Sequence, residues 1–385
     1  MITILGSTGT IGINTLSIIS KIQTKDSIFA LTANTNIKLL FSQIKKYKPA
    51  FAVIGSQNNA NILSKLCLKN KIKTRILSGV DGLVYVSKHR RTKNLLSAIV
   101  GAAALIPTLA AIKSGKKILL ANKESLIMSG SLMTKAAKKS GATIIPVDSE
   151  HNAILQIMTT AGLDFNNLQK SKHREKVDHI TLTASGGPFL NFTNKQLSRV
   201  TPKQAIKHPK WKMGKKISVD SSTLMNKLFE VIEANKLFSI DFKKIDILIH
   251  PQSLVHAIVK LKNGLYKFLY FETDMSIPIG NALFENDFEV KKFLNKENKF
   301  DKTNSINDLN FLKVDEKKFP AIKLKPILDK YNSLPIVLNA ANEIFVDQFL
   351  KKNISFCSII NCLFYLLKDP KMRKYAIKKP SNLKT

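Results

Sequence analysis

Residues 1–22 read MITILGSTGTIGINTLSIISKI, and they set the architecture of the first half of the chain. Ile2–Leu5 is a continuous apolar run of the length of a buried strand. Gly6, Gly9 and Gly12 follow at once, and from Ile11 to Ile22 apolar residues return at helical spacing. Glycines at such a junction permit a tight turn and close backbone approach. The first N–H groups of the helix are left free for an anion such as a pyrophosphate. The spacing is GxxGxxG rather than GxGxxG, so a glycine-rich turn without a ligand stays open as the plain alternative.

Outward from this unit the same alternation repeats as far as residue 148. Strands are expected at Phe29–Ala33, Phe51–Ile54, Arg75–Leu77, Leu96–Val100, Ile118–Ala121 and Thr143–Val147, with helices at Ile37–Tyr47 and Glu124–Lys139 among the segments between. Short apolar strands alternating with helices imply a parallel sheet covered on both faces, a doubly wound (Rossmann-type) α/β domain over 1–148. From 149 to 285 the texture changes to a mainly antiparallel α/β domain. Its expected strands are Ile180–Ala184, Ile245–Ile249, Leu254–Lys260 and Tyr266–Phe271, and Asn263-Gly264 is a hairpin signal between the last two. Residues 286–318 are polar with little periodicity and read as a linker. The remainder, 319–385, reads as a helical domain, with helices over Leu334–Leu350 and Ser355–Leu367.

Composition narrows the class. The 385 residues suffice for two or three domains, and 44% hydrophobic content suffices for their cores. No apolar run approaches the roughly 20 residues of a membrane span. With a strand expected from Ile2 and only three Cys, a chain without a leader in a reducing cytoplasm is expected. The net charge of +34 invites a nucleic-acid reading. Against it, Arg supplies only six of the 61 basic residues, and the Lys are spread along the chain rather than gathered in a stripe. No nucleic-acid partner is expected; attraction of anionic small molecules is.

Three groups of residues carry chemistry. Asp148 and Glu150, in PVDSEHNAI, lie two apart after the last strand of the first domain and in extended conformation would point to one side. Clustered carboxylates repel unless they share a proton or a cation. Glu230 lies well up a helix whose start is signalled by Asp220 or Ser221, on a face with Asn226 and Lys227 and away from Leu224, Met225, Leu228, Phe229 and Ile232. Three hard oxygen ligands favour Mg²⁺ or Mn²⁺ over Zn²⁺. The bland alternative is that Asp148 and Glu150 cap a helix while Glu230 pairs with Lys227. Finally, 208–230, HPKWKMGKKISVDSSTLMNKLFE, gathers a His, the only Trp, five Lys, three Ser and a Glu. Hydroxyl, amide and ammonium donors there and at Ser185, in a Ser-Gly-Gly-Pro turn, suit a phosphate.

These motifs together resemble the 1-deoxy-D-xylulose 5-phosphate reductoisomerase family, over 1–285 and again over 320–365 through LNAANE (338–343). The resemblance implies NADPH at Thr8, Gly9, Thr10 and Ile11, at Asn34, Thr35 and Asn36 after the second strand, and at Asn122, Glu124 and Gly214. It implies a Mg²⁺ or Mn²⁺ ion (Co²⁺ would also suit) on Asp148, Glu150 and Glu230. It implies a phosphorylated substrate held by Lys123, Ser149, Glu150, Ser185, His208, Trp211, Ser221, Asn226, Lys227 and Glu230. Lys123 and His208 would support charge and orientation beside the three carboxylates, and a flap over about 185–215 would close with Trp211 above the substrate. The implied activity is rearrangement and reduction of 1-deoxy-D-xylulose 5-phosphate to 2-C-methyl-D-erythritol 4-phosphate in non-mevalonate isoprenoid synthesis, by a homodimer. The chain departs from the family at Leu228-Phe229, where Gly-Leu is usual, and where a basic residue of some relatives is Thr35 here. Two rivals stand beside this reading. Another NAD(P)-dependent dehydrogenase of a phosphorylated or semialdehyde substrate would need a reactive Cys. A basic nucleic-acid-binding protein would leave the carboxylates unexplained.

Overall fold

The computed structural model describes residues 1–22, 28–163, 175–211, 213–284, 289, 308–380 and 382, so most of the polar stretch 286–318 lies outside the described residues. The chain packs as two units. The first comprises Met1–Asn152 and Asp274–Phe300, and the second Ala153–Thr273 and Asp301–Thr385.

In the first unit β1 (Ile2–Leu5), β2 (Ile28–Ala33), β3 (Phe51–Ile54), β4 (Arg75–Ser78), β5 (Asn94–Ser97), β6 (Lys117–Leu120) and β7 (Thr143–Pro146) form one sheet, in the order β4-β3-β2-β1-β5-β6-β7. Every pairing is parallel. β1, β2 and β3 are buried along their whole length, as near-continuous apolar runs demand when helices cover both faces. Among those helices are α1 (Thr10–Ile22), α2 (Ile37–Tyr47), α3 (Gln57–Lys69), α4 (Gly79–Lys88), α5 (Leu105–Lys113) and α6 (Lys123–Ser140). The strand order reverses between β1 and β5, which marks the crevice at their carboxyl ends as the ligand side. α7 (Ser149–Thr160) follows β7.

β5 departs from the expected Leu96–Val100. It runs in register with β1, ending with Leu5 opposite Ser97. β1 stops there because Gly6 turns away at φ +83°, so Val100 has no strand to join and is 78% exposed. The chain later returns to this unit as α10 (Ser276–Phe284), whose Ile279 and Ala282 enter the core beside Leu16 and Ile19 of α1.

The second unit holds β8 (Val177–Ala184), α8 (Lys215–Ser222), α9 (Met225–Phe238), β9 (Ile245–Ile249), β10 (Val255–Leu261), β11 (Tyr266–Tyr270) and β12 (Leu312–Lys313). The sheet order is β11-β10-β8-β9-β12, parallel only between β8 and β9. The Asn263-Gly264 hairpin forms as expected, with Gly264 at φ +88° and its N–H donating to Leu261 O. Two residues of the polar stretch, Leu312 and Lys313, add the edge strand β12. α11 (Leu334–Leu350), α12 (Phe356–Lys368) and α13 (Pro370–Ala376) close the chain. Phe349 and Phe189 both meet Phe356 edge-on.

The helix expected to start at Asp220 or Ser221 is two helices. Both residues lie inside α8, and the break comes at Leu224, which takes φ +65°. Asp220 caps nothing because its carboxylate is held sideways by Lys216 and Asn342.

Candidate active site

In the first unit the candidate residues lie at the carboxyl ends of its strands. At Gly6 a β-carbon would lie 2.7 Å from Ala98 O, and at Gly12 one would lie 2.4 Å from Gly6 O. Both glycines are therefore fixed by close backbone approach, which seats the start of α1 on the turn. Thr8 and Ile11 are half-buried while Gly9 and Thr10 are exposed, so the helix N-terminus presents an open rim. Ser7 is locked beneath that rim. Its hydroxyl donates to Gln43 Oε1 at 2.7 Å, and Gln43 Nε2 donates back to Ser7 O at 2.8 Å. Sequence reading missed Gln43, whose only mark is a polar residue on the buried side of α2 beside Leu40 and Ile44. Asn34, Thr35 and Asn36 are exposed at the end of β2, and Asn36 caps α2 by accepting from Leu39 N.

Asn122 is buried and fully engaged. It caps α6 through Ser125 N and donates to Ile99 O, Gly101 O and Glu124 Oε2. Next to it, Lys123 Nζ lies 3.2 Å from Asp148 Oδ2. The other oxygen, Oδ1, lies 3.1 Å from Nδ1 of His151, a wholly buried imidazole. Asp148 is thus aimed from two sides. His151 falls one helical turn after Asp148, which is the only sign of it in the sequence. Asp148 and Glu150 are not in extended backbone: β7 stops at Pro146, and Glu150 lies in the first turn of α7 with Ser149 Oγ donating to its Oε2 at 2.5 Å. A carboxylate there is favoured by the helix dipole.

In the second unit, Ser185 follows β8 in a turn where Gly186 and Gly187 take φ +82° and +66°. A β-carbon on Gly187 would lie 3.0 Å from Ser222 Cα, so the turn rests against the end of α8 that carries Ser221. His208 Nδ1 accepts from the backbone N–H of Lys210 and of Trp211, at 3.2 and 2.9 Å. In the neutral ring Nε2 then carries the proton and donates to Ser185 Oγ at 3.0 Å, where Gly187 N–H also donates. With both lone pairs used, the Ser185 hydroxyl proton is left to donate outward, as an anion requires.

Glu230 is 1% exposed and accepts from Asn226 Nδ2 at 2.5 Å; Lys227 Nζ lies 2.5 Å from its other oxygen. Buried charges are tolerated only when compensated in this way. Gly214 stands at the head of α8. Trp211 is half-buried, its ring edge-on to His256 with centroids 6.2 Å apart. His256 itself stacks on Phe271. Sequence reading missed His256, because an alternating strand gives no sign that one of its inward residues meets a loop.

The donor chemistry fits the implied groups: carboxylates and hydroxyls for a hard cation, and an open glycine-rich helix start for a dinucleotide. The cysteines do not fit a thiolate nucleophile, for burial pushes the Cys67 and Cys357 thiols up. Among the described residues, no helix is long and apolar enough to cross a membrane.

Three family models match the chain: 1-deoxy-D-xylulose 5-phosphate reductoisomerase over residues 2–130, its C-terminal domain over 144–238, and the DXP reductoisomerase C-terminal domain over 272–384. A 1-deoxy-D-xylulose 5-phosphate reductoisomerase of Clostridium botulinum (strain Okra / Type B1) is 41% identical over 364 residues, covering 93% of this chain and 89% of its own length. One of Endomicrobium trichonymphae is 42% identical over 374 residues, covering 97% and 93%. A crystal structure of DOX-P reductoisomerase in complex with NADPH, fosmidomycin and magnesium is similar with a TM-score of 0.90 at 37% identity, covering 98% of this chain and 91% of that one. The enzyme from Zymomonas mobilis in complex with NADPH gives 0.85 at 36% identity, covering 100% and 94%.

Proposed function

The chain belongs to the 1-deoxy-D-xylulose 5-phosphate reductoisomerase family, and from that premise we propose how its own residues carry the reaction. It is an NADP-dependent oxidoreductase that converts 1-deoxy-D-xylulose 5-phosphate to 2-C-methyl-D-erythritol 4-phosphate, using NADPH and magnesium, in isoprenoid synthesis. The observation that carries the residue assignment is the Asn226–Lys227–Glu230 cluster on α9, in which Lys227 and Glu230 are buried and which follows the helix that bears Ser221. A carboxylate, an ammonium and an amide held this tightly suit a substrate that is both metal-chelated and phosphorylated.

Asp148, Glu150 and Glu230 hold the divalent ion, and Mn²⁺ or Co²⁺ suits the same oxygen donors. When bound, the ion supplies Lewis-acid stabilisation of negative charge developing on substrate oxygens. NADPH supplies the hydride, resting on Thr8–Ile11 with Asn34, Thr35 and Asn36 toward its ribose and Asn122, Glu124 and Gly214 toward its other end. Ser185, Ser221, Asn226 and Lys227 bind the phosphate, and His208 orients the Ser185 hydroxyl toward it. Ser149 and Lys123 complete the substrate contacts, the Lys balancing charge at Asp148. Trp211 closes the 185–215 flap and excludes water. On this reading 1–148, with α10 packed against it, is the cofactor domain, the rest of 149–285 the catalytic domain and 319–385 the helical domain.

The enzyme works in the cytoplasm as a homodimer. Support for the second copy comes from β11, an edge strand on which Tyr266 and Phe268 are each more than half exposed, as is Leu265 just before it. An antiparallel edge of this kind can pair with its own copy about a twofold axis.

The test is to mix purified protein with deoxyxylulose phosphate, NADPH and Mg²⁺ and follow NADPH absorbance. A fall that requires both substrate and metal is expected. Steady absorbance with folded, NADPH-binding protein would sink the reading.

A further inference from the structure

Asp220 is a buried carboxylate that none of the assigned chemistry uses. It is 1% exposed, and both of its known partners belong to the same unit. Lys216 Nζ, one turn earlier on α8, lies 2.8 Å from Oδ2, and Asn342 Nδ2, on α11, donates to Oδ1 at 2.7 Å. Lys216 also lies over the ring of Phe229, 5.2 Å from its centroid and one residue before Glu230. Asn342 is wholly buried, and its own Oδ1 finds no hydrogen-bond partner among the described residues. An amide left half-satisfied inside a core is a worse packing choice than Leu of similar size. Its presence calls for a reason, and the bond to Asp220 is the one its geometry offers.

That bond fixes the rotation of α8 from outside. Around Ser221, the residues Asp220, Ser222 and Thr223 are all buried, and Ser221 alone stays half-exposed. Adjacent helix residues are about 100° apart, so a modest rotation of this two-turn helix would turn the Ser221 hydroxyl away. The helix ends at the Leu224 break, in a left-handed conformation that a non-glycine residue takes only at a cost.

We propose that Asn342 is a positioning residue for the phosphate site. Through Asp220 it sets the rotation of α8, and so holds Ser221 in place relative to Asn226 and Lys227 beyond the break. The inference rests on the reading of those three residues as phosphate donors given under Proposed function.

The experiment measures steady-state kinetics of the full enzyme with Mg²⁺, the KM of each substrate, and inhibition by inorganic phosphate. In Asn342→Leu, KM for the phosphorylated substrate should rise about tenfold or more, the cost of a hydrogen bond to a charged group. The phosphate inhibition constant should rise with it, while KM for NADPH stays unchanged. Asn342→Asp should be worse, since two carboxylates would face each other in the core. Adding Asp220→Asn to it remakes an amide–carboxylate pair and should restore both constants toward the parent. A lowered melting temperature with an unchanged substrate KM in Asn342→Leu, or a double variant no better than Asn342→Asp, would overturn the proposal. A parent that never turns the substrate over would instead remove the functional reading itself.

Discussion

Glu230 shows how much a single side chain can decide. It is buried, and its two oxygens meet Asn226 and Lys227. In Glu230→Gln the amide cannot supply the anionic charge a divalent ion needs, so turnover should fall by roughly a hundredfold or more, at or beyond the top of the range seen for residues one step removed from a metal. The same change leaves the Lys227 ammonium without its counter-charge, so the melting temperature should fall as well. NADPH binding should persist. Activity within a few-fold of the parent would take Glu230 out of the site. Thr35 offers a second test. No acidic residue lies in Ala30–Lys38, so nothing there repels a 2′-phosphate, but Thr35 brings no positive charge to it. A missing charge-assisted hydrogen bond is worth about 1.5–3 kcal/mol, so preference for NADPH over NADH should be about ten- to a hundredfold softer than with a basic residue there. Thr35→Lys should sharpen the kcat/KM ratio for the two cofactors. An unchanged ratio would show that this loop does not read the phosphate.

At the scale of elements, local chemistry was legible where it is written in one or two residues. Asn263-Gly264 predicts its hairpin because the turn needs a positive φ, which Gly264 supplies at +88°. The break between α8 and α9 was not legible, because Leu224 carries no mark of a left-handed residue and the apolar pattern runs straight through it. The corner between β9 and β10 is a further case. His250 is wholly buried there. Its ring stacks on Phe311, Nδ1 donates to Asn310 O at 2.9 Å, and Nε2 accepts from Val255 N–H at 3.1 Å. Burial holds this imidazole below its ordinary value of 6.5, with the Asn310 bond offsetting part of the effect. As pH falls through 6.5 the unfolded chain takes up a proton that the folded one refuses, so stability present at higher pH is lost on acidification. Melting temperature should therefore fall below about pH 6.5, and less steeply in His250→Gln, whose amide does not titrate. Parallel curves for parent and variant would mean that His250 does not carry this dependence.

For the whole molecule, the net charge of +34 and the place of β11 at the edge of its sheet among the described residues pull in opposite directions. Like charge on two copies opposes association, whereas an exposed apolar edge strand favours it. Short-range burial prevails at ordinary salt, where charges are screened beyond about 8–10 Å. The parent should therefore sediment at twice the chain mass. Phe268→Glu, placing a charge on the strand, should shift it toward monomer without lowering NADPH affinity. A monomeric parent would remove the dimer.

The sequence by itself determined the parallel sheet and the glycine turn, and it singled out the carboxylates and the donors proposed for phosphate, because each is local. A strand needs its own apolar run, and a turn its own glycine. Tertiary structure alone decided which side chains those groups meet. Asp148 faces Lys123 and His151, Ser185 accepts a hydrogen bond from His208, and Asp220 is held by Asn342 from 122 residues away. Such pairings are set by how helices and strands pack, and the residues concerned bear no mark of them in sequence. An Asn in an apolar helix and a His on a buried strand look alike whether they fill space or aim a neighbour.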